Sequence, residues 1–346
     1  MADAKDTTQK SENAATGGKK RACVMHCKRF WWAYLIAFIC IVVLVVCLVI
    51  FVGIPKIAQG KIDDAKLNID SIIISKTKSE SYNMAVNSTI TTDGSTHAEI
   101  DAFTGVMYLE DLEPHEAFAS IDFPETTSAK LTTVNVSQTV EVTNMEAFIT
   151  FNTWLLANES LRLTVEGDTK VHVKGISRGF GVTFKKTVDL KGLNGFHGLE
   201  VTSANVDLIK TENNFNGTVD IPNASILTIE IGNATFVNMY DGEDIGTVYI
   251  DDLILYPGIN NVTMYADIEQ RPVLEAVTTE PHCTDGVVPF ELRGKDVVNN
   301  GDRLAYFADA LASLTTKVDI GLKDAFDRAG LEVGCDSDED DDEGDE

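Results

Sequence analysis

Asparagines in the pattern Asn-x-Ser/Thr are the residues whose spacing carries the most specific chemistry in this sequence. Seven occur, all after residue 55 and none before it. The pattern accepts N-linked glycans, which are attached to exposed asparagines on the lumenal or extracellular side of a membrane. A turn role between strands is the alternative for some, so we expect most of them, but not all, to be modified. The predicted glycosylation sites are Asn87, Asn135, Asn158, Asn216, Asn223, Asn233 and Asn261.

Of the 6 cysteines, two precede an apolar segment at residues 30–55, two lie within it and two follow it. Cys23 and Cys27 directly precede it, where a cysteine is a candidate for palmitoylation, and ordinary unmodified cysteines are the alternative. Cys283 and Cys335 lie far beyond it. An oxidising compartment permits a disulfide between them, which would close a loop of about 50 residues and stabilise the fold by roughly 4 kcal/mol in the chain-entropy model. Two free thiols are the alternative.

No combination of side chains is typical of an enzyme. The 6 histidines are scattered, without an HExxH pattern, a Cys-x-x-Cys pair or a His/Cys group at metal-ligand spacing. A GxSxG motif is absent, and the glycines of GVTFKK and KGLNGFHG lack the frame of a phosphate-binding loop. The neighbouring carboxylates Glu110-Asp111 and Asp251-Asp252 are explained as solvated surface in a very acidic chain. We expect no enzymatic activity, no metal site and no cofactor.

The apolar segment at residues 30–55 determines where the rest of the chain lies relative to a membrane. No charged side chain occurs between Arg29 and Lys56. An apolar core of ~24 residues would form a helix about 36 Å long, which exceeds a bilayer hydrocarbon layer of ~30 Å. A cleaved signal peptide is the alternative, but its apolar region is shorter, at about 7–15 residues. The sequence predicts a single transmembrane helix.

Charge predicts the orientation of this helix and limits its partners. A basic cluster precedes the span, whereas the lysines that follow it are mixed with Asp63 and Asp64, so the N-terminus is expected in the cytosol. Residues 1–29 carry seven Lys or Arg and three Asp or Glu (net +4), which leaves 21 basic and 51 acidic residues (net −30) in the rest. So acidic a surface repels nucleic acid and is not attracted to anionic headgroups. We expect a single membrane span and no nucleic-acid partner.

The pattern after the span predicts β-structure. Apolar and polar residues alternate in many short stretches, such as Leu227, Ile229 and Ile231, separated by Gly, Asn and Asp, which is typical of half-buried strands in a β-sandwich. Helical spacing interrupts this pattern twice. The first predicted helix carries Phe148, Phe151 and Leu155 after Asn144, and the second carries Leu304, Phe307, Leu311 and Leu314 after Asp302.

A weak internal repeat organises these strands. Tyr82 corresponds to Phe215, Met107-Tyr108 to Met239-Tyr240, and Pro124 to Pro257, with a nearly constant offset. The fold class predicted is therefore mainly β, with an N-terminal transmembrane helix followed by two tandem β-sandwich domains that each contain a short helix. The predicted divisions are a disordered cytosolic tail, the span, the first sandwich, the second sandwich and a disordered acidic tail. Their bounds are 1–29, 30–55, 56–195, 196–333 and 334–346.

The sequence resembles a family of fungal single-span membrane proteins whose ectodomain has no known function and is similar to the late-embryogenesis-abundant type-two β-sandwich of plants. The resemblance is carried by AQGKIDDAKL after the span, by the turns FPETT and YPGINNV, and by AFITFNTWLLANESLRLTVEG. It implies a membrane protein of the fungal endomembrane system, with relatives at the vacuolar membrane. It also implies a groove between sheets that contacts lipids or proteins, and it supplies no active site.

These observations together predict a non-enzymatic, membrane-anchored lumenal glycoprotein that recognises a partner at a fungal endomembrane, most simply the vacuole. The alternative is a tethered domain that binds, senses or transfers a lipid. The many sequons and the acidic tail, where nine of eleven residues from 336 onward are acidic, argue against burial of the ectodomain surface in a membrane. A lipid carrier would hold an acyl chain in an apolar pocket, whereas a protein-binding module would not.

Overall fold

The structure is a computed structural model that describes residues 17–95 and 97–335, with side chains from residue 31 onward. The chain divides after Ala58 into two compact units. The first contains helix α1 (Gly17–Leu48), a π-helical turn (Val49–Gly53) and the start of helix α2 (Ile54–Asp64). Within Trp31–Asp64 the most apolar window has a mean hydropathy of 3.7 and is not buried. This helix is long and apolar enough to cross a membrane.

The helix is longer than the sequence predicts. It begins at Gly17 rather than at residue 30, so the part of the predicted disordered tail from residue 17 onward is helical, since Ala, Met, Lys and Arg favour helix there. At the other end it continues to Asp64 through Pro55. The widened turn before Pro55, with the N–H of Ile54 donating to the carbonyl of Val49, accommodates the proline ring and its missing donor. Residues 1–16 and the acidic run at 336–346 lie outside the described residues.

The second unit begins with strands that we call the first half. They are β1 (Lys66–Ser75), β2 (Ser81–Thr91), β3 (Ala98–Ile100), β4 (Phe103–Leu109), β5 (Ala119–Phe123), β6 (Thr126–Thr127), β7 (Leu131–Glu141), helix α3 (Met145–Ala157), β8 (Ser160–Val173) and β9 (Gly179–Lys191).

The second half follows a 3-10 turn (Asn194–Phe196). It comprises β10 (Glu200–Val206), β11 (Phe215–Asn223), β12 (Leu227–Tyr240), β13 (Glu243–Leu255), β14 (Gly258–Ile268), helix α4 (Gln270–Thr278), β15 (Val287–Asn299), β16 (Asp302–Arg303), helix α5 (Ala305–Ala312), β17 (Thr315–Gly321) and helix α6 (Lys323–Arg328).

The two halves share one pattern of strand pairing. In the first half, β2 pairs with β1 and β7, and the facing sheet runs β5-β4-β8-β9. In the second half, β11 pairs with β10 and β14, and the facing strands run β13-β12-β15-β17. The predicted mainly β sandwich architecture, with a short helix in each half, is therefore confirmed. The sequence missed helices α4 and α6.

A parallel pairing joins the halves. Strand β1 pairs with β12, with Ile72 opposite Leu227, so strands from both halves form one 11-stranded sheet. One apolar core extends through both halves, and the described residues from Gln59 onward form one compact unit. The division of this unit into separate domains at residues 195 and 196 stays a prediction, since no break between compact units lies there.

Candidate ligand-binding cavity

An apolar cavity lies between the sheets of the second half. Seven strands surround it in the order β17-β15-β12-β13-β14-β11-β10, and all of them contribute lining side chains. Its volume is about 90 Å³. Small-molecule sites usually measure ~300–1,000 Å³, so a lipid chain enters this cavity only if the surrounding strands move apart.

The cavity between the sheets of the first half is smaller than the cavity of the second half. Aromatic rings occupy the space between its sheets, with Phe118 and Phe151 stacked at a centroid distance of 4.7 Å and Phe148 beside Tyr82 at 5.4 Å. The cavity that remains there measures about 50 Å³. The cavity of the second half is also lined by aromatic rings, including Phe215, Phe236 and Phe290, but it is larger, at about 90 Å³. The second half therefore contains the larger apolar space.

Helix α5 contributes to both cavities. Tyr306 and Phe307 line the cavity of the first half, whereas Leu311 lines the cavity of the second. The helix lies directly on β15 because Gly294 has no side chain, and a Cβ there would come within 2.3 Å of the Cβ of Leu311. Burial raises the pKa of the Tyr306 phenol, whose hydroxyl donates to the carbonyl of Lys78 at 3.0 Å. This buried, hydrogen-bonded residue fixes α5 between the two cavities.

Polar groups in the larger cavity are few. None of the described residues that line it carries a charge. Asn214 is paired with the backbone of Ile268, since its Nδ2 donates to the carbonyl at 2.7 Å and its Oδ1 accepts from the N–H at 2.9 Å. Asn238 on β12 is different, because its Oδ1 is buried without a hydrogen-bond partner among the described residues. A buried polar group without a partner lowers the free energy of unfolding by about 1–3 kcal/mol.

The strand ring around the cavity has one unpaired seam. β10 and β17 are both edge strands and lie against each other without ladder hydrogen bonds. Arg328 of α6 donates a hydrogen bond from Nη2 to the carbonyl of Ala204 on β10 at 2.5 Å. Thr316 of β17 donates to the carbonyl of Gly195 in the 3-10 turn at 3.4 Å. The seam is the place where the ring can open without breaking a ladder.

The predicted glycosylation sites lie on the same unit but away from the cavity. Asn87 and Asn135 are exposed and lie directly opposite each other on β2 and β7. Three more, Asn216, Asn233 and Asn261, are exposed on strands of the second half, and Asn158 at the end of α3 is half-buried. Glycosylation of these residues stays a prediction.

Asn223 differs from the other predicted sites. It is 2% exposed, its Nδ2 donates to the carbonyl of Leu227 at 2.8 Å, and its Oδ1 accepts from the N–H of Ser225 at 2.9 Å. A glycan on Nδ2 would have to replace that bond and occupy filled space. The structure therefore does not accommodate modification of Asn223, because the sequon rule reads only local sequence and burial is set by the fold.

The cysteines of the second half are joined. Cys283 and Cys335 form a disulfide with a Cα–Cα distance of 4.8 Å, the pairing that the sequence left open. It ties the end of the described chain to the segment after α4, beside a small core that includes Val333 and Phe326. Cys23 lies in α1, as does Cys27, but their side chains are not described, and palmitoylation stays a prediction.

The carboxylates that the sequence analysis considered take part in surface contacts. Asp111 accepts from Nε of Arg162 at 2.8 Å, and this pairing lowers the pKa of Asp111. Glu110 accepts from Thr164 at 2.7 Å, and Asp251 accepts from a tyrosine hydroxyl at 3.0 Å. Among the described residues no group of three or more His, Cys, Asp or Glu could hold a metal ion. The absence of enzymatic activity, of a metal and of a cofactor stays a prediction.

The resemblance implied a groove between sheets, but the sequence patterns identified neither the residues that line the cavity nor Asn238. The segment Phe236 to Tyr240 is almost continuously apolar apart from this asparagine, so alternation did not reveal which side chains point inward. The isolated Asn within that apolar run was the one available signal.

Comparisons with known proteins give a family match of limited extent. The family described as "Protein of unknown function (DUF3712)" matches residues 116–238, from before β5 to Asn238 in β12. Comparison with curated proteins gave no match.

Solved structures similar to this chain are distant. A red sea bream transglutaminase is 10% identical, with 75% of this chain and 31% of that chain covered and a TM-score of 0.25, so the chain spans under a third of its length. A Mobiluncus mulieris adhesin with intramolecular disulfide, isopeptide and ester cross-links is 10% identical (74% and 98% covered, TM-score 0.21). The CupB6 tip adhesin of Pseudomonas aeruginosa is 9% identical (67% and 94% covered, TM-score 0.19). These similarities carry no functional conclusion.

Proposed function

We propose that the protein binds a lipid between the sheets of its second half and that it does so as a non-enzymatic, membrane-anchored glycoprotein. The apolar cavity is the observation that carries this proposal. Between the two functions weighed from the sequence, partner recognition and lipid binding, the cavity favours lipid binding. Apolar ligand surface that is buried in such a cavity contributes about 0.8 kcal/mol of binding free energy per CH₂ group.

The helix that precedes this unit supports anchoring. Trp31–Asp64 contains a segment able to span a bilayer, and the basic residues before it favour a cytosolic N-terminus by the positive-inside bias. All seven sequons follow the helix, which agrees with a lumenal second unit. The resemblance to fungal single-span proteins adds the vacuolar membrane as the proposed location.

Recognition of a partner protein is the second candidate. Tyr256 and Ile259, 56% and 68% exposed, flank the turn between β13 and β14 and present apolar surface there. A partner that covers these two side chains would remove their apolar surface from water. A partner bound at this turn does not require the cavity, so the two candidates predict different effects of cavity mutations.

Photochemical labelling in membranes tests the lipid proposal. Cells that express the full chain are supplied with a photoactivatable lipid, irradiated, and the labelled peptides of the protein are identified by mass spectrometry. We expect labelling of peptides from β11 to β14 in addition to the N-terminal helix. Ala266→Leu, which places extra atoms in the cavity, should reduce the labelling of these strands.

The matched control is Ala234→Leu, because Ala234 is equally buried on β12 but does not line the cavity. Labelling of the N-terminal helix reports delivery of the lipid to the membrane in every sample. Labelling confined to that helix would contradict lipid binding and favour the partner-recognition candidate.

A further inference from the structure

The cavity wall contains a polar group that the protein itself does not use. Asn238 lines the cavity and is 5% exposed, and its Oδ1 has no partner among the described residues. Its neighbours across the strands are Gly246 on β13 and Leu292 on β15, which offer no polar side chain. The other lining asparagine, Asn214, has both ends of its amide bonded to the backbone.

The fold alone does not account for an asparagine at this position. A buried amide oxygen without a partner is less favourable than an apolar group in its place, and leucine has the same branched arrangement of heavy atoms. The inward-facing neighbour on the same strand is Phe236, and the adjoining strands contribute the aliphatic side chains Val248 and Leu292. Asn238 is therefore explained by a group that it contacts when the cavity is occupied.

We propose that Asn238 hydrogen-bonds the polar end of the ligand and that this ligand is an uncharged lipid with a hydroxyl group. The inference rests on the proposed lipid binding. A hydroxyl both donates and accepts, so it satisfies the amide in either orientation of its oxygen and nitrogen. A carboxylate or phosphate only accepts, and no described lining residue supplies a positive charge to compensate its burial. The geometry thus selects a neutral headgroup over an anionic one.

Three photoactivatable probes of equal chain length test this selection: a fatty alcohol, a fatty acid and an alkane. Each is added to the full chain in lipid nanodiscs at neutral pH and irradiated, and labelling of the β11 to β14 peptides is divided by labelling of the N-terminal helix. The alcohol should label these strands about tenfold more than the alkane, the equivalent of one hydrogen bond of ~1.4 kcal/mol. The fatty acid should label them less than the alcohol.

The variant Asn238→Leu should lose the preference for the alcohol, while alkane labelling stays the same or rises. Asn238→Ser keeps a hydroxyl and should retain part of the preference. The comparison of three probes on the wild-type chain needs no variant, so it decides the question even if Asn238→Leu does not fold.

Equal labelling by alcohol, acid and alkane in the wild type would overturn the role of Asn238 while leaving lipid binding in place. The same conclusion follows if folded Asn238→Leu keeps the preference for the alcohol. Absence of strand labelling by all three probes would instead overturn the proposed function.

Discussion

Filling the cavity should stabilise the ligand-free protein. Ala266 on β14 is fully buried and lines the cavity, opposite Phe215 on β11 and Val248 on β13. Ala266→Leu adds three carbon atoms at this position. Burial of three groups at ~0.8 kcal/mol each gives about 2.4 kcal/mol. A cavity of about 90 Å³, at ~24 cal/mol per Å³, gives about 2.2 kcal/mol. Both estimates limit the gain in the free energy of unfolding to about 2 kcal/mol.

The assay is urea unfolding of the full chain in detergent, followed by the far-ultraviolet circular dichroism of its strands. We expect a rise in the free energy of unfolding of up to about 2 kcal/mol for Ala266→Leu, which corresponds to a rise in Tm of roughly 3–4 °C for a unit of this size at ~2.1 cal/mol/K per residue. Ala234→Leu is the control, and we expect it to be destabilised by about 1–3 kcal/mol because its surroundings are packed.

Destabilisation of Ala266→Leu by as much as Ala234→Leu would refute the reasoning. It would mean that the space beside Ala266 does not accept three further carbon atoms, and that the cavity cannot hold an alkyl chain there either.

Three further predictions concern other features of the fold. Cys283→Ala should lower the free energy of unfolding by about 4 kcal/mol, because the disulfide joins residues that lie 52 apart in the sequence. A reductant should then have no further effect on the unfolding of this variant. A loss of stability no larger than that of Cys47→Ala, which removes a free thiol, would contradict this prediction. Asn223→Gln should leave the mass of the glycoprotein unchanged apart from the substitution, whereas Asn87→Gln should remove one glycan, as measured by intact mass spectrometry; loss of a glycan from Asn223→Gln would show that the buried site is modified. Asn144→Ala should lower stability by about 1 kcal/mol in urea unfolding, since Oδ1 of Asn144 accepts from the N–H of Ala147 at 3.1 Å at the start of α3; an unchanged unfolding midpoint would mean that this cap is not needed.

Local patterns were sufficient to predict much of the fold. Alternation at Leu227, Ile229 and Ile231 predicted a strand, and all three are buried on β12. Helical spacing at Phe148 and Phe151 predicted α3, where both residues are buried. These predictions succeed because period-two and helical patterns report which face of a single element meets the core.

The features that sequence patterns could not supply depend on distant segments. The parallel pairing of β1 with β12 joins residues separated by most of the unit, and no local signal specifies it. The burial of Asn223 depends on the carbonyls of Leu227 and Leu255, which belong to two different strands.

The cavity is likewise a property of many elements together. Seven strands of the second half surround it, and each strand viewed alone is an ordinary half-buried strand. Asn238 acquires significance only once its position on the cavity wall is known.

The measurement that tests the central claim most directly is native mass spectrometry of the full glycosylated chain, purified from a eukaryotic host in mild detergent, together with extraction and identification of its lipids. We expect a discrete additional mass equal to one lipid per chain in the wild type and in Asn223→Gln, and its loss in Ala266→Leu. The account also predicts that the extracted lipid is uncharged and carries a hydroxyl group. Glycan and detergent masses alone, equal in the wild type and in Ala266→Leu, would contradict lipid binding.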